Sequence, residues 1–353
     1  MPERPGKVNA AAAARWYNQS MLLAGDIGGS KALLGLFTSA PRRPERVEVR
    51  SFPTCESPSL EAIIDEFLGK HGGASVVQAA SFGVAGPIVD QAARLTNVPW
   101  IVDAAAVRAR FGIPRVRLLN DLEAMAWSIP VLWPEELAVI QEGRAVPTGN
   151  AAVIAAGTGL GEALLHNLDG RMVPSPTEGG HADFAPRTPD EIALLRHLIA
   201  RFGRADYERV LSGPGLMNLH RFTHEHPCEV VDVNADPALA PGLISLSALE
   251  RRCPDCVRAL QIFASVYGAE AGNLALRSVA TAGVFLGGGI APKVLPALTD
   301  GRFIEAFRAK APLDDVVSRV PVSVVLNEEA GLLGAAVHAN GKPFALDLRH
   351  GLR

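Results

Sequence analysis

The chain reads as an α/β protein of two lobes, duplicated α/β halves around a central cleft, and three observations lead there. Its 353 residues amount to about two domains of ~150 residues each. Apolar strand-like runs alternate with helix-like segments from Met21 onward. A strand, a tight glycine turn and a second strand open each half: Leu22 to Ala24, Gly25 to Ser30 and Ala32 to Phe37, then Ala152 to Ala156, Gly157 to Gly161 and Glu162 to Leu165.

Residues 1–20 show no strand alternation and read as a mobile N-terminal extension, with Met21 opening the folded part. The two strand-turn-strand halves are expected to open two successive domains. Within the first, Ser75 to Gly83 reads as a buried strand, Val102 to Phe111 as a helix and Val116 to Leu119 as a strand ending at Asn120-Asp121. A helix from Leu122 to Trp127 then runs until Pro130 stops it. Open α/β sheets bind ligands beyond the carboxyl ends of their strands, which makes Asn120 and Asp121 candidates. In the second domain Thr188-Pro189-Asp190-Glu191 has the form of a capping box, and Ile192, Leu195, Ile199 and Phe202 are expected on one apolar face before Gly203. Val284 to Leu286 reads as a strand running into Gly287-Gly288-Gly289, and the last helix starts around Glu329.

Charge narrows the function classes. Lys and Arg number 34 against 37 Asp and Glu, a net charge of −3, so no basic excess exists to neutralise a nucleic-acid backbone or an anionic membrane surface. No apolar run approaches the ~18 residues of a membrane span, and a cytoplasmic protein is expected. The four cysteines give no disulfide framework. Cys253-Pro254-Asp255-Cys256 is a single CxxC with no second pair recognised to complete four ligands, so neither metal nor redox use is expected of it.

Three glycine turns, at 25–30, 157–161 and 287–289, follow apolar strands. Such turns let backbone N–H groups approach phosphate oxygens, which points to a nucleotide. They are not P-loops, since no GxxxxGK[ST] occurs, and Gly157 to Gly161 leads into a strand where a dinucleotide fingerprint must open a helix. Asp26 is either a turn former or a carboxylate that holds Mg²⁺ through water beside phosphates. Asp121 either caps the following helix or accepts a proton from an attacking hydroxyl. Glu178-Gly179-Gly180-His181 sets a carboxylate and an imidazole around glycines, which suits a polyol.

Leu23 to Ser30, Asn120-Asp121, Gly157 to Gly161, Glu178 to Phe184, Glu208 to Gly215 and Gly287 to Ile290 together resemble the successive signatures of bacterial ATP-dependent glucokinases, over about residues 21–340. Ser30, Lys31 and Leu33 depart from a common form of the first motif. The resemblance implies a hexokinase-type, actin-like (ribonuclease H-like) ATPase fold with sugar in the cleft, a small domain over 21–130 joined by a returning C-terminal helix over 329–345, and a large domain over 131–328. It implies transfer of the γ-phosphoryl of ATP to the 6-hydroxyl of glucose, as in the first step of glycolysis, with Mg²⁺ as cofactor. On it, Asp121 is the catalytic base, and Asn120, Asp121, Glu178, His181 and Glu208 hold the sugar. Gly25, Asp26, Ile27, Gly28, Gly29, Ser30, Gly157, Thr158 and Gly159 contact phosphates, and Gly287, Gly288 and Gly289 lie near the adenosine. A homodimer is the expected assembly. The zinc-type cysteine cluster of the related repressor and sugar-kinase group is absent, and Cys253 and Cys256 do not match it.

Two other readings compete: a sugar sensor on the same fold, and an NAD-dependent dehydrogenase built on Gly157 to Gly161. A regulator would need a helix-turn-helix, which the 20 residues before Met21 are too short to hold. Retention of NAD in place of ATP would separate the second.

Overall fold

The computed structural model describes residues 21–71, 73–95, 98–232 and 236–341. The extension over 1–20 and the last residues of the helix expected over 329–345 lie outside them. The described residues fall into two compact units, 21–131 with 329–341, and 132–328.

In the first unit, β1 (Met21–Ile27) pairs antiparallel with β2 (Lys31–Thr38), which pairs antiparallel with β3 (Glu45–Pro53). After α1 (Leu60–Leu68), β4 (Val77–Val84) runs parallel to β1. Three short strands, β5 (Ile88–Val89), β6 (Ala92–Arg94) and β7 (Ile101–Asp103), form a small antiparallel sheet of their own. Then α2 (Ala104–Phe111) leads to β8 (Arg115–Asn120), parallel to β4, and α3 (Asp121–Ser128) follows. The main sheet has the order β3-β2-β1-β4-β8. Its central strands are apolar almost continuously because both faces are covered. Leu23, Ile27, Leu34, Phe82 and Val84 pack on one face with Ile63, Ile64 and Phe67 of α1. Leu22, Ala24 and Ala79 pack on the other with Leu332, Ala335 and Ala336 of the C-terminal helix.

The second unit begins with β9 (Leu137–Gln141), β10 (Ala151–Ala156), β11 (Leu160–Leu168) and β12 (Arg171–Thr177). Four helices follow: α4 (Pro189–Phe202), α5 (Gly213–Thr223), α6 (Ala240–Leu249) and the 25-residue α7 (Pro254–Ser278). Next come β13 (Gly283–Gly287), α8 (Leu295–Leu298), α9 (Arg302–Arg308), α10 (Asp314–Val317) and β14 (Val322–Val325), and α11 (Ala330–Asn340) returns to the first unit. The sheet order is β12-β11-β10-β13-β14-β9. Its first five strands repeat β3-β2-β1-β4-β8 in order and in sense, two antiparallel pairings followed by two parallel ones. The duplication suggested by the two glycine hairpins is therefore one of topology.

Three local expectations need correction. Ile101–Asp103 is strand, and the helix expected from Val102 starts at Ala104, because the Asp103 side chain accepts the amides of Ala105 and Ala106 as an N-cap. The strand expected from Ser75 begins at Val77, after a 3₁₀ turn over Ala74–Val76. In α4, Thr188 caps as expected and Gly203 ends the helix at φ 75°, but the capping box is only half formed because Glu191 accepts the Arg187 amide, and the buried residues are Glu191, Leu194 and Leu198, while Ile192 and Ile199 are exposed. The buried face is turned because Glu191 goes inward. Its Oε1 accepts from Arg187 Nη2 at 2.6 Å and its Oε2 from the Arg187 amide at 2.6 Å, which compensates the desolvated carboxylate.

Candidate active site

In the first unit the turn after β1 is closed by Gly28 N–H donating to Lys31 O at 2.9 Å. Thr54, fully buried just past β3, holds it from outside: its Oγ1 donates to Gly29 O at 2.9 Å and its amide to Ser30 O at 3.1 Å. Gly25 and Ile27 are buried in β1, whereas Gly28 and Gly29 are half-buried and Ser30 exposed, so the turn offers its backbone to a ligand. Asp26, the next-to-last residue of β1, lies under the start of α11 at Gly331. Burial, and then the neighbouring charge of Asp121, push its pKa up to about 6, while Lys31 acts in the opposite direction.

Asn120 and Asp121 stand where β8 ends and α3 begins. Asn120 is the N-cap, its Oδ1 accepting the amides of Leu122 at 2.9 Å and Glu123 at 3.4 Å. Capping occupies its oxygen and leaves its NH₂ to donate elsewhere. Asp121 is exposed, and its Oδ1 also accepts the Leu122 amide, at 2.8 Å. The cap expected of Asp121 is thus supplied mainly by Asn120.

In the second unit the Gly157–Gly161 turn joins β10 to β11 as a hairpin, with Gly157 N–H donating to Gly159 O at 2.8 Å. A turn between antiparallel strands cannot serve as the strand-to-helix dinucleotide fingerprint, so the dehydrogenase reading fails. Two other segments are tied to this turn. Glu208 Oε2 accepts the Leu160 amide at 2.9 Å, and Gly213 N–H, opening α5, donates to Gly157 O at 2.8 Å. Ser212 caps α5 through Gly215 N–H at 3.0 Å. Beside it, Gly287 ends β13, and Gly288 has φ 79° with a β-carbon position only 2.3 Å from Ala156 O. Only glycine fits there, since the backbone must pass against the end of β10 in a left-handed conformation.

The segment Glu178-Gly179-Gly180-His181 forms a 3₁₀ turn in which Gly180 O accepts the Glu208 amide at 2.9 Å. Glu178 and His181 are both exposed. His181 Nδ1 lies 3.7 Å from Asp206 Oδ2, and a pocket of about 260 Å³ is lined by His181, Asp206, Glu208, Arg209, Ser212 and Asn218 among others. Turns 157–161 and 287–289 and residues 178–181 and 208 thus converge in one unit, as turn 25–30 and residues 120–121 do in the other.

Several supporting residues escaped the sequence reasoning. Thr54 is one. Beneath Gly179 lies Glu162, 1% exposed, beside the fully buried Glu270. Burial and then the Glu270 charge raise its pKa far above the carboxylate range, while Glu270 Oε1 accepts from Arg277 Nη1 at 2.5 Å. The available signal was a charged residue inside the apolar run Leu160 to Leu165. His224 and Cys228 also lie against Cys253, an association the CxxC spacing alone had not suggested.

Two halves of one strand order, each with a glycine turn between its first two strands, together with a carboxylate at a strand end, have the architecture of sugar kinases of the actin-like ATPase fold. Comparison with known proteins narrows this. The Glucokinase family model matches residues 23–342. A glucokinase of Nostoc punctiforme is 36% identical over 341 residues, covering 91% of this chain and 99% of that one. One from Stenotrophomonas maltophilia is 37% identical over 329 residues, covering 91% and 96%. The crystal structure of a glucokinase from an Antarctic psychrotroph has a TM-score of 0.81 at 29% identity, covering 91% of this chain and 99% of that one. The chain belongs to the glucokinase family, and it is an ATP-dependent hexose kinase.

Proposed function

We propose that the enzyme transfers the γ-phosphoryl group of ATP to the 6-hydroxyl of D-glucose, giving glucose 6-phosphate and ADP, with Asp121 as the base. The observation that carries the assignment is an exposed carboxylate at the β8–α3 junction, oriented by the Leu122 amide and paired with a second carboxylate, Asp26. Phosphoryl transfer passes through a loose transition state, so positioning and charge neutralisation supply most of the acceleration. Asp121 takes the hydroxyl proton as the oxygen attacks phosphorus. Asn120, Glu178, His181 and Glu208 hold the sugar hydroxyls, Asn120 through its NH₂ and Glu208 through the oxygen not engaged by Leu160. The turns 25–30 and 157–159 hold phosphates with their amides, and Gly287 to Gly289 border the adenosine. Residues 21–130 with the helix from 329, and residues 131–328, are the two domains of this reading.

Two neighbouring carboxylates, Asp26 and Asp121, form an oxygen-donor set, and oxygen donors of this kind fit a hard divalent cation. Asp26 would hold Mg²⁺ through water. The ion, when bound, supplies neutralisation of the phosphate oxygens.

A coupled assay with ATP, Mg²⁺ and a panel of hexoses tests the reading. Glucose-dependent ADP release with formation of glucose 6-phosphate is expected, and ADP release indifferent to glucose overturns it. The same reading takes the enzyme to be a cytoplasmic homodimer. Light scattering should then give twice the 37.2 kDa chain mass, and the mass of one chain would reject the dimer.

A further inference from the structure

One cluster of reactive side chains in the second unit has no part in phosphoryl transfer. Helix α5 ends at Thr223, and the chain continues through His224 to Cys228, an H-x₃-C spacing. Cys253 is the N-cap of α7 and Cys256 lies in its first turn, a C-x₂-C spacing. The fold brings these two pairs together. His224 Nε2 lies 3.3 Å from Cys253 Sγ and 4.0 Å from Cys256 Sγ, and Cys228 Sγ lies 3.7 Å from Cys253 Sγ. The ligand atoms of His220, His224, Cys228 and Cys256 all fall within 4.8 Å of one another, and Cys253 Sγ joins them through its contacts with His224 and Cys228. Nitrogen and sulfur ligands placed tetrahedrally at zinc bonding distances stand about 3.3–3.8 Å apart; His224–Cys253 at 3.3 Å and Cys228–Cys253 at 3.7 Å fall in that range, and His224–Cys256 at 4.0 Å lies just beyond it.

The surroundings prepare the ligands. His224 Nδ1 donates to His220 O at 2.7 Å, which fixes the ring tautomer and leaves the Nε2 lone pair on the sulfur side. Cys253 Sγ accepts the Cys256 amide at 3.4 Å at the N-terminus of α7, a setting that favours thiolate. Cys253 and Cys256 are buried, and His224 and Cys228 half-buried. We propose that His224, Cys228, Cys253 and Cys256 form a structural Cys₃His zinc site. Zinc binding converts the three thiols to thiolates and releases their protons to solvent. Four protein ligands leave no open position, so the site is structural and not catalytic.

His220 is the other candidate ligand, since it is 4% exposed with neither ring nitrogen hydrogen-bonded. Its ring stacks on that of His224 at 3.8 Å and 23°, and two nearly parallel imidazoles aim their in-plane lone pairs side by side, which favours Cys253 over His220 as the fourth ligand. His220 walls the site. A disulfide between Cys228 and Cys253 is the competing chemistry, but both are free thiols and their 3.7 Å separation far exceeds an S–S bond of ~2.05 Å.

The site has a structural consequence within its unit. Helix α5 starts where Gly213 binds the carbonyl of Gly157 and ends at Thr223, with His224 as its C-cap, so zinc anchors the far end of the helix whose near end supports the 157–161 turn. None of the four ligands is among the residues assigned to sugar or nucleotide, and metal content is read out independently of activity.

The full chain, expressed untagged and purified under reducing conditions, is assayed for metal by mass spectrometry and then reconstituted with Co²⁺ after chelation. About one zinc per chain is expected, and the cobalt form should show the thiolate charge-transfer and tetrahedral d–d bands. Cys228→Ser and Cys256→Ser should each weaken zinc binding by tenfold or more, whereas His220→Gln should keep the metal. Chelation should lower the Tm, with recovery on adding zinc. Zinc below about a tenth of an equivalent after reconstitution, or a cobalt spectrum without thiolate bands, overturns the site. Loss of zinc from His220→Gln overturns the ligand set. Two thiols missing from a titration of the denatured, metal-free protein purified without reductant would establish the disulfide in its place. If the serine variants do not fold, the cobalt spectrum of the unaltered chain decides.

Discussion

Asp26 lies within reach of the charge of Asp121, and burial together with that charge lifts its pKa to about 6. The proton that Asp26 keeps in the folded state is one the unfolded chain loses near pH 3.8. Its contribution to stability is therefore complete below that pH and is lost as pH rises through about 6. Asp26→Asn removes the titration. The Tm of the variant, without Mg²⁺ or nucleotide, should fall less between about pH 4 and pH 7.5 than that of the unaltered protein. Parallel Tm profiles would show that the two carboxylates do not couple to folding.

Asp121→Asn keeps the side-chain shape and the oxygen that accepts the Leu122 amide but cannot accept a proton. We expect kcat to drop on the order of 10²–10⁴ with glucose affinity near the original value. Steady-state kinetics with calorimetric glucose titration checks this, and retention of more than about a tenth of kcat removes Asp121 from the role of base.

Glu178 is exposed in its 3₁₀ turn, so only a bound sugar would give its charge a partner worth measuring. Glu178→Gln should raise the KM for glucose about tenfold, the loss of one charge-assisted hydrogen bond, with the KM for ATP little changed. An unchanged glucose KM would mark Glu178 as a solvent-facing loop residue.

Glu162 is held protonated by burial and by Glu270. The unfolded chain loses that proton near pH 4.5, so the stability it contributes declines as pH rises from there toward its raised folded value. Glu162→Gln, neutral at every pH, should have a flatter Tm profile from about pH 5 to pH 8. A variant as pH-sensitive as the original would place the titration elsewhere.

Gly334 lets α11 touch α3: a β-carbon there would come 1.6 Å from Ala124 O. Gly334→Ala should destabilise the protein by about 3 kcal/mol or more, since backbone must move. Gly242 in α6 meets nothing within 4 Å, so Gly242→Ala should stabilise by about 0.5–1 kcal/mol through helix propensity. Chemical denaturation of both variants measures the contrast, and a loss at Gly242 as large as that at Gly334 would refute it.

Local sequence alone determined the glycine hairpins, the Asn120-Asp121 junction, the cap at Thr188 and the stop at Gly203, because each depends on backbone conformation and on hydrogen bonds a few residues long. The two-half organisation was legible for the same reason, as a repeated strand-turn-strand pattern. What depends on partners distant in the chain was decided only by the tertiary structure. Arg187 and α7 turn α4 so that Glu191 is buried and Ile192 exposed, against the apolar periodicity. Thr54 grips a turn 25 residues earlier, and Glu162 finds Glu270 from another element. Cys253 and Cys256 carry half of a ligand set whose other half, His224 and Cys228, arrives from the end of α5. Periodicity and spacing encode what a residue does to its own neighbourhood in the chain, whereas burial and charge pairing are settled by which elements the packing brings together.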